Sequence, residues 1–306
     1  MTALIPYHVP VMGQEVIQWL ITNPNEVYAD FTVGGGGHSL LILNQLGETG
    51  KLIGTDRDPD AICEAKRNLP DHVELWNIRF SETLSKLSPQ FGSKISGILM
   101  DLGVSSHQID EGSRGFSYRA DGPLDLRMGQ SGETAAELLT RLDERELRHL
   151  LQSLGEEPQA ARITRAIVKA QQESPITTTD QLAEIIRKSV SATAHKSLPR
   201  VFQALRMAVN QELEELKAGL SAAWQLLKPH GRLVVLTYHS LEDRPVKQFM
   251  KSLASPSTPI LPDILAPSPR PQARFPIRGP LLPSLEEITA NPRSRSAKLR
   301  VIEKLP

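Results

Sequence analysis

The chain has 306 residues, about twice the usual ~150 per domain, so it holds one large domain or two modules. Apolar residues make up 40% and charged residues 23%, ordinary for a folded chain, which excludes general disorder. Lys plus Arg and Asp plus Glu are both 35, yet residues 266–306 hold eight basic and three acidic side chains. That leaves +5 on this tail and −5 on residues 1–265, and a basic tail of this kind points to a polyanion. Apolar runs such as 40–43 and 233–236 fall far short of the roughly 20 residues of a membrane span. The first eleven residues show no basic stretch and no cleavage site, and Cys63 stands alone, so a reducing cytoplasm is the expected location.

In chain order, short apolar runs alternate with helical patterns. The segment 27–33 (VYADFTV) reads as a strand running into four glycines, and 39–46 as a helix. A second strand follows at 51–55, ending at Asp56, then a helix at 59–68 capped by Asp58 with Pro59 in its first position. A third strand at 73–78, a helix at 81–87 and a fourth strand at 97–100, ending at Asp101, complete the series. Such alternation predicts parallel βαβ units with a ligand at the carboxyl ends of the strands.

The rhythm stops after Asp101 in a polar, glycine-rich stretch, and 133–228 is helical in pattern. Thr178 with Gln181 predicts a capping-box start for a helix over 182–190. Phe202, Leu205, Val209, Leu213, Leu216, Leu220, Trp224 and Leu227 recur at steps of three and four, predicting one long helix. A fifth strand at 232–238 resumes the sheet, and 298–303 makes a last one. The expected organisation is a discontinuous α/β domain, 1–108 with 206–306, interrupted by a helical insert at 109–205. Residues 255–283 contain nine of the 23 prolines and read as an extended loop.

The turn Asp30-Phe-Thr-Val-Gly34-Gly35-Gly36-Gly37-His38 lets a ligand approach the backbone at a helix start. The dinucleotide pattern G-x-G-x-x-G fails, because Ser39 or Leu40 stands where the third glycine belongs. The P-loop pattern fails at Gly50-Lys51-Leu52. Asp56, 22 residues beyond Gly34, is placed to accept two ribose hydroxyls. An unphosphorylated nucleoside cofactor fits, of which S-adenosylmethionine is the common one; a plain βα turn with a surface aspartate is the alternative. Asp56, Asp58 and Asp60 do not form a calcium loop, since Ala61 and Arg67 replace its Gly and Glu. No metal is expected.

Asp101-Leu-Gly-Val-Ser-Ser106 follows strand four, where amino-group methyltransferases place a polar residue and backbone acceptors. Asp101, with Ser105 or Ser106, could bind the two N–H groups of an exocyclic amine and aim its nitrogen at a methyl group. The alternative is an aspartate that caps the following turn.

These motifs, with Tyr7-His-Val-Pro-Val11, Gly54-Thr-Asp-Arg-Asp-Pro59, Arg114-Gly-Phe-Ser-Tyr118 and Asp121-Gly-Pro-Leu-Asp-Leu-Arg-Met128, run nearly end to end. So do Gly155-Glu-Glu157, Phe202-Gln-Ala-Leu-Arg206, His239-Ser-Leu-Glu-Asp-Arg244 and Asn291-Pro-Arg-Ser-Arg-Ser-Ala-Lys-Leu-Arg300. Together they resemble the ribosomal RNA small-subunit methyltransferase H family, also called MraW, which methylates N4 of a cytosine in 16S rRNA. The resemblance implies a class I S-adenosylmethionine-dependent methyltransferase fold, Rossmann-like, with an inserted helical substrate-recognition domain. It further implies that S-adenosylmethionine is held by Gly36, Gly37, His38, Asp56, Phe80, Asp101 and Gln108. Departures are modest: Tyr118 stands where Phe is usual, Leu126 where Met is usual.

For 16S rRNA within the small subunit, Arg114, Phe116, Tyr118, Arg119 and Arg127, with Arg293, Arg295 and Arg300 of the tail, are the expected contacts. Phe116 and Tyr118 could instead pack the insert. His239 after strand five could be mistaken for a base, but a structural histidine fits as well. Two other classes compete. A DNA amino-methyltransferase would usually show a proline pair and an aromatic after Asp101, where Leu102-Gly103-Val104 stands. A non-catalytic assembly factor is disfavoured by the intact turn with Asp56 and Asp101. Neither DNA nor a membrane is an expected partner.

Overall fold

The computed structural model describes residues 10–255 and 271–306. The motif residues Tyr7 to Val9 and most of the proline-rich segment lie outside the described residues. Two compact units are present: Met1–Gly103 with Glu214–Pro306, and Val104–Leu213. The expected insert, 109–205, falls within the second.

The first unit is built on a seven-stranded sheet. Its strands are β1 (Val27–Asp30), β2 (Lys51–Asp56), β3 (Glu74–Asn77), β4 (Ile95–Asp101), β5 (Leu227–Thr237), β6 (Ala273–Arg274) and β7 (Lys298–Lys304). Their order is β3-β2-β1-β4-β5-β7-β6; the first five are parallel, β7 runs antiparallel to β5, and β6, antiparallel to β7, runs in the direction of the first five. This is the class I methyltransferase architecture. Both faces of the strands are apolar, as a parallel sheet covered by helices requires. Ile98 and Met100 of β4 face one core with Leu216, Leu220 and Leu87, while Leu99 faces the other with Val16, Ile42 and Ile62. The order of strand addition reverses between the parallel neighbours β1 and β4, so the crevice at their carboxyl ends is where this topology binds ligands.

The helix Pro59–Asn68 forms as expected: the Asp58 side chain accepts from the Asp60 amide, and Pro59 occupies the first turn. The helix expected over 39–46 forms as Gly37–Leu43, starting and ending earlier, and that over 81–87 forms as the longer Phe80–Phe91. Helices at Gly13–Leu20 and Ser240–Ala254, and the short strand β6, carry no strong sequence signal and were not expected.

The second unit is helical around its own core, in which Leu138, Leu147, Ile163, Leu182, Val201 and Phe202 are buried. Thr178 and Gln181 do form the capping box, starting the helix Thr179–Ser189.

One expectation is corrected. The apolar steps from Phe202 to Leu227 predict a single helix, but the chain forms two, Ala194–Val209 and Glu212–Leu226. Gln211 between them has a left-handed φ of 50°. The cause is Asn210, which is 2% exposed. Its Oδ1 accepts from the Met128 amide at 2.8 Å, and its Nδ2 donates to the carbonyls of Leu126 at 2.7 Å and Arg206 at 2.8 Å. A side chain that satisfies buried backbone groups from another segment outcompetes two more residues of helical ladder.

Asn210→Ala would leave the Met128 N–H and the Leu126 carbonyl buried without these partners. At about 1–3 kcal/mol for each of the two stranded groups, the expected loss is roughly 2–6 kcal/mol. Chemical denaturation followed by far-ultraviolet dichroism measures it, and a midpoint equal to the parent's would remove Asn210 from this role.

Candidate active site

Three strands deliver three aspartates to one crevice. Asp30 ends β1, Asp56 ends β2 and Asp101 ends β4, and β1 pairs with both of the others. The positions follow from the register, in which Asp30 lies opposite Gly54 on one side and Leu99 on the other.

Between β1 and the helix Gly37–Leu43, the chain turns on glycines with left-handed φ, 51° at Gly34 and 92° at Gly36. A side chain at either position would be strained, so the turn needs glycine. Asp30 is fully buried and holds the base of the turn. Its Oδ2 accepts from the Ser39 hydroxyl at 2.7 Å, and its Oδ1 accepts from the Thr32 amide at 3.0 Å. Thr32 in turn accepts from the Asp101 amide at 2.7 Å, tying the ends of β1 and β4 together.

Asp56 takes one amide on each oxygen, Gly34 N–H on Oδ2 and Asp58 N–H on Oδ1, both at 2.9 Å. Among the described residues no basic side chain pairs with it. Burial therefore pushes its carboxyl up to about 6, against the lowering effect of the two amides. Each carboxylate oxygen has a second lone pair available, which suits two hydroxyl donors from a ribose.

Asp101 is held from both sides. Its Oδ1 accepts from the Tyr238 hydroxyl at 2.7 Å, and its Oδ2 lies 3.5 Å from His38 Nδ1. Burial raises its carboxyl above the usual range, opposed by His38 and Tyr238 and reinforced by Asp30 and Glu242. The same carboxylate and its burial raise the Tyr238 hydroxyl well above the ordinary tyrosine value. The His38 side chain is buried, with Nε2 2.9 Å from the Val11 carbonyl.

Phe80 opens its helix against Gly219, where an added Cβ would come within 2.9 Å of the Phe80 ring. Glu215 fixes that helix start by accepting from the Ser81 amide and hydroxyl, both at 2.9 Å.

The donor set tests the expected cofactor. An acidic crevice repels phosphate and attracts cations, so a nucleoside bearing a sulfonium and an ammonium fits where a dinucleotide does not. S-adenosylmethionine is that molecule. Comparison with known proteins agrees, since the MraW methylase family matches residues 6–305. The chain belongs to the MraW methylase family. A ribosomal RNA small subunit methyltransferase H of Nitrosomonas europaea is 45% identical over 97% of both chains. One of Symbiobacterium thermophilum is 44% identical over 98% of this chain and 97% of its own.

Within this methylase, the expected site residues separate. Gly36, Gly37, His38, Asp56, Phe80 and Asp101 all belong to the first unit, at or beside the carboxyl ends of the strands. Gln108 and Ser105 belong to the second unit, where they cap one short helix reciprocally: Gln108 N–H donates to Ser105 Oγ, and Ser105 N–H to Gln108 Oε1. Ser106 is the first residue of that helix.

Five of the side chains expected at RNA make contacts within the chain. Arg114 donates to the carbonyls of Arg127 and Met128, and Arg127 forks onto both oxygens of Asp125 at 2.7 Å. Phe116 is buried in the second unit's core, and Tyr118 meets Phe202 edge to face. Arg300 forks onto Asp243 at 2.6 and 2.9 Å, with its side chain 13% exposed. These side chains serve the fold. Arg119, Arg293 and Arg295 are solvent-exposed. His239 sits 2.9 Å from Glu242 Oε1, an ion-pair contact outside hydrogen-bond alignment, which fits a structural histidine.

Sequence reasoning missed Tyr238, Thr32 and Glu215 as parts of the site. A usable signal existed for Tyr238: it follows β5, the parallel neighbour of β4, so it ends level with Asp101.

Asp56 gives a signed prediction. Its raised carboxyl holds a proton more tightly when folded, so the protein without cofactor gains stability as pH falls from about 6 towards 4. Above pH 6 the ionised group costs roughly 3 kcal/mol. Asp56→Asn should therefore raise the melting temperature at pH 8 while weakening S-adenosylmethionine at least tenfold by calorimetry. A variant that melts lower and binds as the parent does would contradict both statements.

Proposed function

We propose that this protein transfers a methyl group from S-adenosylmethionine to N4 of a cytosine in the 16S rRNA of the small ribosomal subunit, working in the cytoplasm. The observation that carries this is the acidic crevice at the ends of β1, β2 and β4, in a chain of the MraW methylase family. S-adenosylmethionine, when bound, supplies an activated methyl on a positively charged sulfur. The chain's own residues bind and orient. Asp56 would accept the ribose hydroxyls, Phe80 would lie beside the adenine, and the Gly36–Gly37 backbone would admit the cofactor closely. Asp101 would fix the methionine end or one N–H of the target amine.

An exocyclic amine is a weak nucleophile because its lone pair is delocalised into the ring. Holding it close to the methyl matters more than a strong base, since near-attack geometry of about 3–3.5 Å is worth several powers of ten. The N4 proton is released after attack. The helical second unit is the module we assign to RNA recognition, with Gln108 and Ser105 at its start and Arg119 on its surface. Among the described residues no helix is long and apolar enough to cross a membrane.

The deciding experiment supplies tritiated S-adenosylmethionine with small subunits, naked 16S rRNA and duplex DNA in parallel. Label at N4 of one cytosine in rRNA is the expected result, and label in DNA alone would replace this reading with the DNA enzyme. Contact with the backbone is checked by salt dependence. Replacing Arg119, Arg293 and Arg295 by Gln should flatten log K against log salt by about 0.7–0.9 for each lost phosphate contact. Arg300→Gln should instead lower stability with the slope unchanged, because its partner is Asp243.

A further inference from the structure

His38 is buried between two acceptors, and the geometry dictates its proton inventory. A backbone carbonyl cannot donate, so the 2.9 Å contact to Val11 O requires the hydrogen on Nε2. In the neutral ring this leaves Nδ1 as a bare lone pair, 3.5 Å from Asp101 Oδ2. An ionised Asp101 would then present a second lone pair to it, and two acceptors facing each other in a buried site repel. Oδ1 cannot relieve this, because Tyr238 already donates to it at 2.7 Å. One proton between Nδ1 and Oδ2 removes the conflict, either as imidazolium with carboxylate or as imidazole with carboxylic acid.

We propose that His38 is a positioning residue for methyl transfer: it carries Nε2–H to the Val11 carbonyl and shares a single proton through Nδ1 with Asp101, locking that carboxyl group in place. The link to methyl transfer rests on the role assigned to Asp101 above; the shared proton does not.

Asp30 at the end of β1 interacts favourably with the charged ring, and Glu242 of the helix Ser240–Ala254 adds negative charge near Asp101. Asp56 adds to the charge around Asp30. Thr32 and Ser39 satisfy Asp30, and Tyr238 satisfies Asp101, so no other described donor competes for the gap. Two carboxyl groups, Asp101 and Asp30, thus act on the imidazole directly. Without that proton Nδ1 and Oδ2 would face each other as two acceptors, and Asp101 would be free to turn away.

Nitrogen-15 NMR of the ring in the cofactor-free protein tests the proton directly. The expected spectrum has Nε2 protonated and Nδ1 protonated or strongly hydrogen-bonded at neutral pH. In Asp101→Asn the amide can donate to Nδ1 in place of the shared proton, so the ring should be neutral with Nε2 protonated. A ring protonated on Nδ1 with bare Nε2, or a bare, unbonded Nδ1 in the parent, would overturn the proposal whatever the RNA substrate. Cofactor binding supplies the second readout. His38→Gln, which retains a donor for Val11 but places nothing at Nδ1, should bind S-adenosylmethionine about tenfold more weakly than the parent by calorimetry. If the folded His38→Gln protein retains the parent's affinity, the positioning role is wrong even where the NMR result stands.

Discussion

Parallel strands lie about 4.8 Å apart, and β2, β1 and β4 each end in an aspartate, so the sheet forces three carboxyl groups into one crevice. Like charges at this spacing are expensive in a partly buried site, and the rest of the first unit is arranged around that cost. Asp30 is satisfied by Ser39 and Thr32, Asp56 by two backbone amides, and Asp101 by Tyr238 and His38. Only one of these partners, His38, can bring a positive charge. A cationic cofactor therefore finds an environment that the protein's own side chains leave under-neutralised. Binding energy comes from relieving a conflict built by the strand register, and the glycine turn provides access to it.

The second unit solves a different problem. It has its own apolar core, and polar side chains fasten its irregular leading segment: Asn210, from the end of a helix, on the Met128 and Leu126 backbone, Arg114 on the Arg127 and Met128 carbonyls, Arg127 on Asp125. An irregular segment has no ladder of its own, so its buried backbone groups must be satisfied by side chains. Motif residues that look like ligands for an anionic partner are used here as structure. Arg300 shows the same economy in the first unit, since a forked pair with Asp243 anchors β7 to the start of the helix Ser240–Ala254.

Much of this was legible because the physics is local. The cap at Asp58-Pro59, the capping box at Thr178 and Gln181, the glycine turn and the aspartates at strand ends each depend on a few neighbouring residues. The break at Asn210 was not legible. Apolar spacing continued through it, and the competing bonds came from residues 126 and 128, more than 80 positions away. The partners of the arginines were not legible for a related reason: charge and exposure are different properties, and Arg127 and Arg300 meet Asp125 and Asp243 only once the chain is folded.

The sequence by itself determined the class of fold, the interruption of the sheet by a helical module, the nucleoside-like character of the cofactor turn and the family. All of these are written in periodicity, in glycine and capping residues, or in motifs of adjacent positions. Only the tertiary structure decided which polar side chains are available and which are spent. It placed Tyr238 and His38 on opposite oxygens of Asp101, and it buried Phe116. Those outcomes depend on distances between residues far apart in the chain, and hydrogen bonding is so short-ranged that no spacing along the sequence encodes them.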